Sequence, residues 1–381
     1  MRTTPLQSEK MNQRLVRCAV PNFRYLPRFL FRSFVLVLGA SLLGYMLHRA
    51  GPGAVWKQVQ AVGWGLVLII ILGGLSQLIK TWAWRQTFAC DISALSWSRS
   101  LGAQLVSDAA GQLGFAGKLL GEGLRISMLG SAVPLANGIS SSAIDGGLHA
   151  FTAVVVTVLG ITATLLLAPL VDGRWRIYAL LLAAVLIAIV AISAVAVASG
   201  WQLMGNAARA IGRLPRLHKL VSSKLSVIDS AEHNLLSFYR QEPVAFCASL
   251  ILNFLWHAMA VLEVYLILRF MGADVGLVSA IALEGLAKVI NLVGALSPGN
   301  LGTYEGGNML IANLFGVTGT AGLTLALCRR TRSIFWAAVG ATCMTVMKRG
   351  GSTSTMEVKG NDKDQILHRA CGPVTADGIC H

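Results

Sequence analysis

IYALLLAAVLIAIVAISAVAVAS, residues 177–199, carries no charged side chain and nothing more polar than Tyr178, Ser193 and Ser199. As an α-helix it would be about 34 Å long at 1.5 Å per residue, against a bilayer hydrocarbon core of roughly 30 Å. The charge-free run extends to 208, and comparable runs occupy 62–79, 146–171, 243–262 and 306–328. None alternates with period two. In lipid each backbone N–H and C=O must be satisfied internally, which leaves helices once a closed barrel is excluded. The expected fold is therefore all-α: a polytopic transmembrane helical bundle of about seven to eight spans.

Composition agrees. Hydrophobic residues make up 55% of 381 positions and charged residues 13%, where soluble domains carry about 25% charged residues. The net charge of +15 is distributed beside the apolar runs, with clusters of Lys and Arg in 1–32, 80–125 and 200–243. The short loops between hold only one or two, at Arg49 and Lys57, Arg174 and Arg176, and Arg269. This alternation follows the positive-inside rule and places the N-terminus in the cytoplasm. Charge spread over loop ends is not a basic face, so nucleic acid is not an expected partner. The cysteines (Cys18, Cys90, Cys247, Cys328, Cys343, Cys371 and Cys380) show neither a disulfide framework nor a metal spacing.

Residues 1–30 read as a basic cytoplasmic tail, 31–347 as the membrane domain and 348–381 as a disordered tail. Spans are expected near 31–47, 62–80, 148–169, 177–199, 244–268 and 277–296. Residues 133–171 are too long for one crossing, and an inclined or interrupted segment is expected before the span at 148–169. Residues 206–240 read as an amphipathic cytoplasmic helix. The last apolar region, 306–347, is cut by Arg329, Arg330 and Arg332.

Two stretches break the pattern. Residues 100–131 hold Asp108, Lys118, Glu122 and Arg125 among many glycines, too polar to face lipid and too apolar for an ordinary loop. Re-entrant or broken helices buried in protein suit that composition. Within it lies GKLLGEGLR, Gly117 to Arg125, and 183 residues from Glu122 lies Glu305 in PGNLGTYEGG, Pro298 to Gly307. Paired interruptions in corresponding places of two halves point to a repeat-built membrane protein with a site near the midplane. Two loops with ordinary interfacial charges would be the plain alternative.

Ionisable residues inside spans are costly and default to a functional reading with a named partner. Glu284, Lys288 and Asn291 share one helix face, as do Asp145 with His149 and Asn253 with His257, while Glu263 follows on the last of these segments. A neutralised structural pair accounts equally for Glu284 and Lys288. The histidines lack any metal-ligand spacing. Candidate site residues are Glu122, Arg125 and Glu305, with Gly121, Gly302, Arg332, Glu284, Lys288 and Asn291. No catalytic residue, metal site or cofactor is expected.

GEGLRISML with SSSAIDGG, then SPGNLGTYEGGNMLI with LALCRRTRSIFWAAVG, resemble the bacterial lysylphosphatidylglycerol synthase transmembrane-region family, also called flippase-like, which includes hopanoid-biosynthesis-associated members. The resemblance covers roughly residues 30–347. It maps Glu122 and Arg125 to the family's GE-x-x-R, Glu305 to its PG-x-x-G-x-x-E and Arg332 to its late arginine. It implies a two-repeat domain of a bacterial inner membrane that moves or accommodates a lipid between leaflets. The chain departs from many relatives in lacking Pro-Gly-Arg before the first GE. Nothing in it resembles the soluble aminoacyl-transfer domain, so lysyl-lipid synthesis by this chain alone is not expected.

Two other functions fit less of the sequence. A membrane-embedded lipid-modifying transferase needs a metal or phosphate site, and the D-x-D at Asp362–Asp364 lies in the tail. A non-catalytic partner of a lipid-biosynthesis enzyme would tolerate loss of Glu122 and Glu305; such an enzyme, or a second copy of the chain in a homo-oligomer, is the expected protein partner. Walker motifs are absent, which argues against ATP hydrolysis by the chain.

Overall fold

The computed structural model describes residues 48, 52–88, 92–111, 115–167, 173–200, 202–211, 225–294, 300 and 302–353. The expected span at 31–47 and the tail at 1–30 lie outside these residues, as does nearly all of the tail at 348–381. Among the described residues every regular element is helical. They are α1 Pro52–Val62, α2 Gly65–Arg85, α3 Trp97–Gly111, α4 Phe115–Ser127, α5 Leu135–Leu167, α6 Gly173–Ser199, α7 Leu203–Ile211, α8 Leu225–Gln241, α9 Pro243–Phe270, α10 Leu277–Gly294, α11 Thr303–Leu314 and α12 Gly319–Thr353. Among the described residues five helices are, by length and composition alone, long and apolar enough to cross a membrane: α2, α5, α6, α9 and α10.

Helices α2 and α9 form an antiparallel central pair. Ser249, near the start of α9, donates its Oγ hydrogen to the carbonyl of Ala83 at the end of α2 (3.1 Å). At the other end Phe270 covers Gly65, where no Cβ would fit. Burial of Ile69, Val261, Val264, Ile267 and Leu268 fastens this end of the bundle to Leu283, Ile311 and Leu325.

Both glycine-rich interruptions fold as helical hairpins. In the first, α4 runs back along α3: a Cβ on Gly121 would strike the carbonyl of Ser107, and Arg99 Nε donates to the carbonyl of Met128 (2.8 Å). Helices of 15 and 13 residues reach about 20 Å, short of a crossing. In the second, Ile290 packs on Gly307 and Gly294 meets Asn300 and Thr303, so α11 runs back along α10.

The hairpins approach from opposite ends. Arg85 Nη1 donates to the carbonyl of Leu95 (2.9 Å) and to Ser100 Oγ (2.6 Å), so the first hairpin starts where α2 finishes. The second follows the end of α9, beside the start of α2. The five-helix run α1–α5 is thus repeated upside down as α8–α12. Helix α5 crosses α10 where Gly160 and Gly285 bring the two backbones together. In the counterpart crossing α12 meets α3 where Gly340 lies on the carbonyl of Leu105. Small residues permit such approach in lipid, where association relies on close packing.

Three expectations need correction. Of the inclined or interrupted segment expected before 148–169, the interruption is absent: residues 135–167 form one continuous helix. Helix α12 runs unbroken through Arg329, Arg330 and Arg332; the break in this region is at Phe315–Thr318. Residues 206–240 are not one helix: α7 and α8 fold against each other, with Arg209 Nη1 on Asp229 Oδ2 at 3.0 Å and the Gly205 N–H on Glu232 Oε2 at 2.8 Å.

Candidate functional site: a buried polar track

Charged side chains gather in two clusters inside the bundle. In the first, Asp145 of α5 is 1% exposed and receives two cations: Lys80 Nζ on Oδ1 and Arg125 Nη2 on Oδ2, both at 3.0 Å. The Arg125 guanidinium lies 3.8 Å from the centroid of the Trp84 ring, a cation–π contact that holds its plane. Its Nη1 reaches Glu122 at 3.3 Å. Asp108 of α3 stands nearby and accepts from the amides of Gln77 and, at 3.1 Å, Gln104.

The second cluster is centred on Arg329. Its Nε donates to Glu263 Oε2 (3.1 Å) and its Nη1 to Tyr304 Oη (2.9 Å), while Nη1 also lies 2.9 Å from Glu284 Oε2 as an ion pair. Arg332 Nη1 shares the same Glu263 oxygen at 3.0 Å, and Lys288 Nζ donates to Glu284 Oε1 at 3.0 Å. These pairings explain why α12 tolerates three arginines in mid-helix: each guanidinium meets a carboxylate, as burial of charge requires. Arg330 completes the set by pairing with Glu305 (Nε to Oε1, 2.7 Å).

Asn253, His149 and His257 join the clusters. Asn253 Oδ1 accepts from Lys80 (3.0 Å) and lies 3.3 Å from His149 Nδ1. The His149 ring stacks on His257, centroids 5.1 Å apart, and His257 Nδ1 lies 3.0 Å from Lys288 Nζ. From Asn253 to Glu263 the track rises about 15 Å along α9. Its basic side chains (Lys80, Arg125, Lys288, Arg329, Arg330 and Arg332) are matched in number by Asp108, Asp145, Glu122, Glu263, Glu284 and Glu305.

The two clusters occupy related positions of the inverted halves. Advancing by the 183 residues that separate Glu122 from Glu305 carries Lys80 to Glu263, Gly73 to Trp256, His149 to Arg332 and Asp108 to Asn291. Lys80 and Glu263 thus exchange sign between the halves, whereas Asp145 falls on Cys328 and Arg125 on Asn308. His149 lies against Trp256, and its counterpart Arg332 lies against Gly73.

The structure brings Glu284 and Lys288 together as their spacing implies, and both belong to the Arg329 cluster. Asn291 is exposed and accepts from Asn300 Nδ2 (2.6 Å), away from that pair. Glu122 and Glu305 occupy different hairpins. Glu305 caps its own helix, accepting the Gly302 N–H at 2.7 Å, while Gly302 at φ 79° adopts a backbone that favours glycine. Gly121 is the close-packing point of the first hairpin. Lys80, Trp84, Gln77, Gln104 and Tyr304 join the site without a sequence signal that singled them out, because their partners lie on distant helices. Asp145 and His149, although one turn apart, bond to other residues rather than to each other.

Apolar helices of spanning length around a buried, internally paired polar track define a multi-pass integral membrane protein. Residues 32–340 match the family described as the lysylphosphatidylglycerol synthase TM region, and the chain belongs to that family. A search of curated proteins and a search of solved structures each gave no match.

Proposed function

We propose that the protein moves a phospholipid or an isoprenoid lipid between leaflets, with the headgroup passing along the polar track between the two hairpins. The observation that carries this reading is the track itself. Charged residues in a membrane interior are costly, and a bundle that needed only stability would be served as well by apolar side chains. Inverted halves with a polar site between interrupted segments suit alternating access. The family's link to a lipid synthase makes a lipid the fitting cargo.

Arg330, Arg332, Lys288 and Lys80 are the partly exposed cations of the track, suited to a headgroup phosphate. Glu122, half-exposed beside Arg125, is suited to a cationic group or to releasing Arg125 as an anion arrives. The end of the bundle carrying Arg85, Arg99, Arg209 and Arg240 is the cytoplasmic one by the positive-inside rule, in a bacterial inner membrane. A lipid-biosynthesis enzyme or a second copy of the chain is the fitting partner.

The test is leaflet translocation of fluorescent phospholipids and isoprenoid phosphates in liposomes containing the purified protein. Translocation is expected from wild type and should be abolished in the Glu122→Gln/Glu305→Gln double variant and in Lys288→Gln, each checked for insertion. Wild-type protein that moves none of these lipids refutes transport. Unchanged transport in the variants removes those residues from the path.

A further inference from the structure

Asp108 differs from the other acids of the track. Asp145, Glu122, Glu263, Glu284 and Glu305 each touch a lysine or arginine, whereas Asp108 is held by two amides. Gln77 donates to its Oδ2 and Gln104 to its Oδ1. The cations that face it stand further off: Lys80 on α2, Arg125 on α4 and Arg332 on α12.

The amides leave something unused. The Oε1 atoms of both Gln77 and Gln104 are buried without a hydrogen-bond partner, and Gln104 is only 3% exposed. Buried acceptors are seldom left unpaired, and each such atom invites an explanation. A carboxylate cannot satisfy them because it has no hydrogen to give. A carboxylic acid can: one O–H donated to a turned glutamine amide pairs one of the orphaned oxygens. The site is thus furnished for both forms of the side chain, with N–H donors for the anion and acceptors for the acid.

The second half supplies a contrast. The counterpart of Asp108 is Asn291, which has the shape of a neutral aspartic acid and no proton to take up. Only the first hairpin carries a titratable group at this position.

We propose that Asp108 is a proton-binding site that loads together with an anionic headgroup, so that each anionic lipid travels with a proton. The inference rests on the transport reading and names its co-substrate. The charge balance of the track supplies the coupling. Acidic and basic side chains are equal in number when Asp108 is ionised, so an arriving phosphate monoanion leaves one negative charge in excess. A proton from water on Asp108 Oδ restores the balance, and one Gln amide turns from donor to acceptor. No bond other than that O–H forms. By linkage, the proton favours the anion as much as the anion favours the proton.

Purified protein in weakly buffered detergent would be titrated with short-chain phosphatidylglycerol while a pH indicator follows proton uptake. Infrared difference spectra would follow the carbonyl band of a protonated carboxylic acid. Wild type is expected to take up about one proton per bound lipid and to show that band; Asp108→Asn, isosteric and already neutral, should bind lipid with neither signal. The absence of uptake, whether the lipid binds alone or not at all, overturns the proposal, as does uptake that persists in Asp108→Asn. Uptake with binding but no translocation in liposomes would leave the proton site standing and sink the transport reading instead.

Discussion

Glu122 and Glu305 stand at matching positions of the two hairpins, yet 46% of the Glu122 side chain is exposed while Glu305 is fully buried. The surroundings differ in the same sense. Helix α11 packs along the length of α12, whereas in the first half α4 meets α5 more sparsely, with the Arg125–Asp145 ion pair between them. One topology therefore exists at two degrees of closure within one molecule. The second hairpin is seated by a helix cap, a buried ion pair and the Gly322 contact with the carbonyl of Asn308. The first is tied through α3, by Arg85 on Leu95 and Ser100 and by Trp84 packed with Leu95, Ala103 and Leu129, while α4 is joined to α5 by Arg125.

The sharpest way to break this comparison is to remove the central anion of each half. Asp145→Asn leaves Lys80 only the neutral Asn253 and Arg125 only the half-exposed Glu122, and is expected to destabilise by about 3–5 kcal/mol. Glu263→Gln leaves Arg329 its bond to Glu284 and deprives chiefly Arg332, for a loss of about 1.5–3 kcal/mol. Thermal unfolding in detergent measures both, and equal losses would mean that the halves are held alike. Next in size, Gly285→Leu forces α10 off α5, where a Cβ would already lie 2.5 Å from the Gly160 Cα. About 1–3 kcal/mol should be lost in the same assay, and an unshifted midpoint would show that the crossing is loose. The smallest effect belongs to the connecting region: Arg209→Ala breaks a solvent-facing pair worth about 0–1 kcal/mol. A larger shift there would mean that α7 and α8 brace the halves rather than link them.

Much of this architecture was legible in the sequence. The runs behind α2, α6 and α9 announce themselves by length and scarcity of charge, and the glycine–glutamate pairing pointed to both interruptions. Where the reading failed, the missing information was a partner far along the chain. Arg329 looks like a break in an apolar run until Glu263, 66 residues away, neutralises it. The 33 residues of α5 look too long for one helix until its first turns are seen packing outside the apolar run, with Thr87 on the Ser141 carbonyl. Within the site, Glu284 and Lys288 could be paired because a helix turn joins them. Lys80 and Asp145 could not, since only the packing of α2 on α5 makes them neighbours.

Helix α6 stands apart from both halves, with 11% of its most apolar window buried. Each half enters and leaves at the same end: two long helices and a hairpin that turns back return the chain to where it began. A second copy joined directly would therefore point the same way as the first. A single added crossing reverses it, and α6 is that crossing. Its sequence has little to specify beyond being apolar and long enough, because its contribution is arithmetic: an odd number of passages turns duplication into inversion.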